Sequence, residues 1–359
     1  MNVSFKRLLA ILAIAVSSAI LVVPIQADPL PGRDLLKFEQ KPMIATTIVD
    51  TTGVPIGTYA GHDEISTAYG FPNAAGVITD YVGPFMADDF ADQLSSPVVH
   101  VKWWGSYHNN ITPTPQPPVQ RFLIAFESDI PSPPPPQTGF SMPGQVLQLD
   151  VVNRVPALGG PGLGQFTEKL VGGPDIFGDL IYEYNAELHF NRAFPEQKDT
   201  VYWLKISALV DLPVGTQPFP PNNPPPGVTQ WGWHNRDYTI KNSLASNNVT
   251  TFPFGENNVG SIGTSNIYHF QDDAVQGNLR WTQGAGLPNF GVLQTNMQPQ
   301  NYVGLADGPM TGQIPGTIGI ENYSKDLAFA LYAVVPEPAS SLLLISCALG
   351  AVVLRRRAG

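Results

Sequence analysis

The chain has 359 residues, of which 13% are charged, and it carries 36 prolines and 34 glycines. Charged residues are about half as frequent as in an average soluble domain and Pro plus Gly make up about a fifth of the chain, which excludes a coiled coil and argues against a helix bundle. Setting aside the two terminal segments, with their five basic residues and one acidic residue, takes the net charge from −10 to −14, and so acidic a surface repels phosphate backbones, which makes nucleic acid a poor partner.

The first element is apolar. Lys6 and Arg7 precede a run from Leu8 to Val23 broken by Ser17 and Ser18, and Pro24-Ile25-Gln26-Ala27 follows. A charged start, an apolar stretch and a small residue at the end are the layout of a secretory signal peptide, predicted over residues 1–27. The run is at the short end of the ~17–25 residues that a spanning helix needs.

From residue 28 to 335 the dominant pattern is apolar alternation at period two, the mark of half-buried strands. Strands are predicted at Val98 to Trp104, Arg121 to Glu127, Gln145 to Val152, Leu180 to Phe190, Thr200 to Val210, Ile267 to Gln271 and Asp326 to Val334. In the second of these, Phe122, Ile124 and Phe126 share one face. In the fourth, Leu180, Tyr182, Tyr184, Ala186, Leu188 and Phe190 form the core side, opposite Glu183, Asn185, Glu187 and His189. Three proline-rich tracts, Thr112 to Pro118, Pro131 to Pro136 and Pro218 to Pro226, interrupt the strands as extended loops, because proline cannot donate to a ladder. They read as stiff surface loops or as polyproline recognition segments. A subdivision near residues 211–227 is the best candidate boundary within the exported part. Many short strands between Gly/Pro turns imply an all-β fold, a β-sandwich of jelly-roll kind, with a signal helix before it and a transmembrane sorting helix after it.

Several short motifs lie along this region: Ala87-Asp88-Asp89-Phe90, Trp103-Trp104-Gly105-Ser106-Tyr107, Phe122 to Glu127, Pro143-Gly144-Gln145-Val146-Leu147, Tyr202-Trp203-Leu204, Trp231-Gly232-Trp233 and Asp272-Asp273-Ala274. Together they resemble an uncharacterised β-domain that recurs in exported bacterial proteins. The resemblance covers most of residues 80 to 280 and implies no established activity.

Two residue types offer chemistry. The pairs Asp88-Asp89 and Asp272-Asp273 could contribute to the six to eight oxygens calcium prefers, although no D-x-[DN]-x-[DN]-G loop is present. The other reading is that one Asp of each pair caps a turn or faces solvent while the other satisfies buried backbone N–H groups. Among the aromatics, Trp104, Trp231 and Trp233 could stack on sugar rings. Adjacent strand residues face opposite ways, so Trp103 joins Val99 and Val101 on the apolar face while Trp104 lies with His100 and Lys102. Packing in the core is the competing role for all these rings, because Trp is highly buried on average.

Catalytic patterns are weaker. Glu183 and Glu187 lie roughly 13 Å apart along one strand, beyond the ~5–9.5 Å of paired glycosidase carboxylates. The histidines show no zinc spacing, and Gly139-Phe140-Ser141-Met142-Pro143 has proline where a nucleophile elbow requires glycine. No catalytic role and no cofactor other than calcium is expected.

At the far end, Pro336-Glu337-Pro338 precedes an apolar run from Ala339 to Leu354 and then Arg355-Arg356-Arg357, which would hold that end on the cytoplasmic side. A Pro-Glu-Pro triplet, a short apolar helix and a basic tail resemble the PEP-CTERM sorting signal over residues 336–359. That resemblance implies recognition by an exosortase-type system, a membrane-anchored precursor, and release or transfer to the cell exterior. The lone cysteine, Cys347, lies in this run, so the exported part has no disulfide. The expectation is an exported cell-surface or extracellular-matrix protein of structural or binding role. Its partners would be the sorting machinery and extracellular polysaccharide, the alternative being a carbohydrate-binding module that uses exposed Trp residues.

Overall fold

A computed structural model describes residues 34–44, 46–49, 55–59, 61–108, 117–131, 142–156, 162–175, 178–188, 193–220, 224–237, 240, 244–245, 274–282, 303–304 and 326–334. Among these the chain is all-β, with no helix. In chain order the strands are β1 (Asp34–Gln40), β2 (Thr46–Val49), β3 (Pro55–Tyr59), β4 (Asp63–Ile65), β5 (Thr67–Gly70), β6 (Asp80–Phe90), β7 (His100–Tyr107) and β8 (Arg121–Ile130). They continue with β9 (Met142–Arg154), β10 (Gln165–Gly172), β11 (Ile181–Glu187), β12 (Tyr202–Asp211), β13 (Trp231–His234), β14 (Val275–Thr282), β15 (Val303–Gly304) and β16 (Phe329–Val334). The segment Ile267 to Gln271 and both terminal segments, 1–27 and 336–359, lie outside the described residues. No helix of the described residues is long and apolar enough to cross a membrane.

Fourteen strands form one sheet in the order β1-β16-β7-β11-β10-β9-β8-β12-β5-β6-β14-β15, with β13 and β4 joined to one end of β7, and β2 and β3 make a separate hairpin. The sheet is mixed: β9–β10 and β5–β12 are parallel, whereas the other pairings are antiparallel. The strands after residues 211–227 enter the same sheet as those before them, since β13 pairs with β7 and β14 with β6.

Three strands separate β7 from β8 in the sheet, yet the rings of Trp103 and Phe122 lie 5.1 Å apart. Phe38 of β1 likewise meets Phe90 of β6 at 5.9 Å. The sheet therefore folds back on itself around one aromatic core that includes Phe38, Phe90, Trp103, Phe122, Phe126, Tyr184, Trp231, Trp233 and Phe329. Alternation assigns this face correctly in β8 and across most of β11, where Tyr184 and Ala186 are core residues and Tyr182 packs against them, while Leu180, ahead of the strand, is exposed.

Alternation misses that β8 is apolar on both sides. Leu123 and Ala125 join Phe85, Trp203, Val275 and Trp281 in a second buried cluster. A strand covered on both faces reads as a continuous apolar run, as Phe122-Leu123-Ile124-Ala125-Phe126 does. The junction of β7 with β13 needs glycine, because a Cβ on Gly105 would stand 2.3 Å from the Gly232 carbonyl oxygen and 2.4 Å from the Trp231 ring.

Candidate functional site

The tryptophans are core residues, which corrects the expectation that Trp104, Trp231 and Trp233 offer exposed rings. Trp231 and Trp233 are fully buried and Trp104 is 6% exposed. Trp231 donates its indole N–H to the Tyr184 hydroxyl at 3.1 Å and Trp233 donates to the Ala328 carbonyl at 2.9 Å, so their polar edges are also satisfied inside. Trp104 does lie on the face opposite Trp103, but Ile181, Ala328, Ala330 and Tyr332 cover it there. None of the three presents a face to a sugar.

Asp88 and Asp89 are both buried and sit side by side in β6, so their side chains leave opposite faces of the strand and do not converge on one ion. Asp88 accepts the backbone N–H groups of Leu327 at 2.7 Å and of Asp89 at 3.0 Å, the structural role anticipated for one member of the pair. Asp89 does not face solvent. Burial, and then the Asp326 charge, push the Asp88 carboxyl well above the usual range. Asp326 in turn faces Arg236 at 3.3 Å. Among the described residues no three His, Cys, Asp or Glu side chains are grouped to hold a metal. Asp272 and Asp273, like Pro336, Glu337, Pro338, Arg355, Arg356 and Arg357, lie outside the described residues.

A polar cluster with no signal in the sequence gathers where β4, β7 and β13 meet. His234 Nδ1 faces Asp63 Oδ1 at 3.0 Å and Nε2 faces the Met43 carbonyl at 2.9 Å. The Met43 carbonyl only accepts, so Nε2 is the donor there, and the Asp63 carboxyl at Nδ1 favours the charged form of the ring. Burial lowers its pKa, but the Asp63 carboxylate more than offsets this and the net direction is up. Asp63 is held below its ordinary value because the His234 charge and hydrogen bond, with the Ser106 hydroxyl, outweigh its burial.

Ser106 donates to Asp63, not to the ring. With both nitrogens of His234 engaged, neither is open to take a serine proton, which a nucleophilic serine requires. Asp175 and Asp179, in the connection between β10 and β11, add two carboxyls beside this cluster. Asp175 is pushed up to about 7, first by burial and then by the Asp63 charge, and Asp179 lies 3.5 Å from His108.

An open concavity lies elsewhere. A cavity of about 350 Å³ runs between Pro117–Gln120, Leu209–Pro213 and Pro226–Thr229, so two of the three proline tracts supply its walls. Its lining contains no aromatic ring. The Thr229 hydroxyl donates to the Pro117 carbonyl at 2.6 Å and ties two of the walls together. At the rim Tyr81 donates to Asp211 at 2.6 Å, and Arg121 donates to both. Proline walls lose little freedom on binding because φ is already fixed, so the groove is pre-formed.

The fold and groove thus define an all-β domain that, among the described residues, buries many of its ionisable groups and carries an apolar groove. The chain belongs to the family described as domain of unknown function (DUF7901), which matches residues 36–285. No curated protein and no solved structure matches the chain.

Proposed function

We propose that the protein is an exported cell-surface or extracellular-matrix domain with a structural or binding role. In this reading residues 1–27 direct export and the folded-back sheet is a jelly-roll-like sandwich. Residues 336–359 form a transmembrane sorting helix that an exosortase-type system removes through Pro336-Glu337-Pro338. The observation that carries a non-catalytic role is a contrast between inside and outside: Lys37 with Glu196, Lys205 with Glu127 and His234 with Asp63 pair in the interior, whereas a rigid, proline-walled apolar groove is open at the surface. A binding role would use that groove, and the aliphatic character of its lining favours apolar groups over sugar faces.

The sorting step is tested on the protein collected from the exterior of its own cells. Mass spectrometry is expected to find a C-terminus between Pro336 and Pro338, and recovery of Arg355 to Arg357 in that fraction would refute the step. The groove is tested with Val228→Arg in the full chain. Loss of retention in the cell-surface matrix with unchanged circular dichroism supports a binding role there, and unchanged retention assigns the role to another surface.

A further inference from the structure

Lys37, Asp92 and Glu196 form an enclosed group that the proposed role leaves unused. Lys37 lies on β1, Asp92 follows β6 by two residues, and Glu196 follows Phe194, which bridges to Val98. The side chains of Lys37 and Asp92 are fully shielded from solvent and that of Glu196 is 2% exposed. Lys37 Nζ donates to Glu196 Oε1 and to the Ser96 carbonyl. Asp92 Oδ1 is fixed by the Leu94 N–H at 2.7 Å, which leaves Oδ2 facing Nζ at 3.4 Å.

Among the described residues no donor reaches the remaining buried oxygen of either carboxyl, Asp92 Oδ2 or Glu196 Oε2, so the one ammonium serves both groups. Burial first, and then the Asp92 carboxyl beside it, push Glu196 up to about 9, which favours its neutral acid form at neutral pH. Neighbours in sequence, Phe38, Phe90, Ala91 and Phe194, belong to the main core. An amine and two carboxyls, with the neutral form of Glu196 favoured, therefore meet with water excluded. In bulk water, amide formation is opposed by the charged forms and by mass action of the solvent, and a dry site weakens both obstacles.

We propose that Lys37 Nζ and Glu196 Cδ condense into an intramolecular amide, with Asp92 as the base, forming a covalent strap between β1 and the segment ahead of β12. The ammonium first gives a proton to Asp92 Oδ2. The freed lone pair attacks Cδ of the protonated Glu196 carboxyl, and the C–N bond forms. A second proton from Nζ passes to the departing hydroxyl, the C–O bond breaks and water leaves. The ammonium's three hydrogens end on the amide nitrogen, on Asp92 and in the water, the other hydrogen of which comes from Glu196, and the group begins and ends neutral.

No oxidant or activating group is required. The strap spans 159 residues of sequence, and closing so long a loop restricts the unfolded chain. It is a cross-link open to a chain whose single cysteine excludes an internal disulfide.

The test is proteolytic mapping of the full chain under denaturing, reducing conditions. The peptide containing Lys37 is expected joined to the one containing Glu196, with a mass lower than their sum by one water. Lys37→Arg keeps the charge and should yield only linear peptides. Glu196→Gln should yield the same branched peptide, because loss of ammonia in place of water leaves an identical amide. Asp92→Asn should abolish the link or reduce it to a trace, and linkage at the wild-type yield would overturn the assignment of the base. Both peptides linear and unmodified in the wild-type protein would overturn the strap itself, and this reading needs no variant to fold.

Discussion

Asp175, in the connection between β10 and β11, stands near Asp63, and a charge on both carboxyls is unfavourable there. Burial and then the Asp63 charge push it up to about 7 in the folded chain from its ordinary 3.8, so between those values the folded state binds the extra proton and stability falls as pH rises. His108, raised first by its hydrogen bond to Asp179, adds a fall of the same sign above its ordinary value of 6.5. Asp63 acts oppositely: its lowered value gives stability present above 3.8 and lost as pH falls through the folded value. Asp175→Asn can donate to Asp63 without a proton to lose. The variant is expected to match the wild type in melting temperature below 3.8, to gain progressively above it, and to keep a constant advantage above about 7. Thermal unfolding across pH checks this, and a difference independent of pH would remove titration as its cause. Nothing local in the sequence announces the cluster, because Asp63 and His234 are 171 residues apart. The alternation of Val99, Val101 and Trp103 does separate Trp103 from Trp104. The burial of Trp104 comes instead from Ala328 and Ala330, residues that no local window around it contains.

Among the elements, the short strand β13 shows how close packing is set by what is absent from a side chain. Gly105 faces a backbone oxygen and the Trp231 ring at distances a Cβ cannot occupy, and a backbone oxygen in a paired strand cannot swing aside. Gly105→Ala should cost about 1–3 kcal/mol or more, seen as a lower urea midpoint with an unchanged slope. Gly162→Ala is the matching control, because its Cβ would meet only the flexible end of Gln165 at 3.2 Å and should change the midpoint little. The predicted strands around Val98, Arg121, Gln145, Leu180, Thr200 and Asp326 all overlap observed ones. Those segments have long apolar alternation. Sequence reading does not find β1, where Lys37 interrupts the pattern, or β6, whose second half is buried throughout and so carries no period of two.

At the scale of the whole molecule, the two ends of the folded unit are sewn together. β16 lies between β1 and β7, pairing with the first from Asp34↔Val334 to Gln40↔Phe329 and with the second from Phe329↔Trp103 to Tyr332↔His100. It also sends Phe329 and Leu331 into the main core. The family match stops at residue 285, yet the sheet is incomplete without residues 329–334. A chain running from residue 28 to 285 would leave β1 without its partner, expose one edge of β7, and open a void where Phe329 stacks on Phe38 at 5.2 Å. Unpaired edges and an opened aromatic core favour association over folding. The shorter chain is therefore expected to aggregate or to lose its near-ultraviolet circular dichroism, whereas a chain from residue 28 to 335 keeps a cooperative transition. A cooperative, monomeric 28–285 fragment would mean that β16 is an accessory to a core that closes without it. Dependence on β16 would instead make the C-terminal strand the last step of folding for a chain emerging N-terminus first, since β1 and β7 wait for it across most of the sequence.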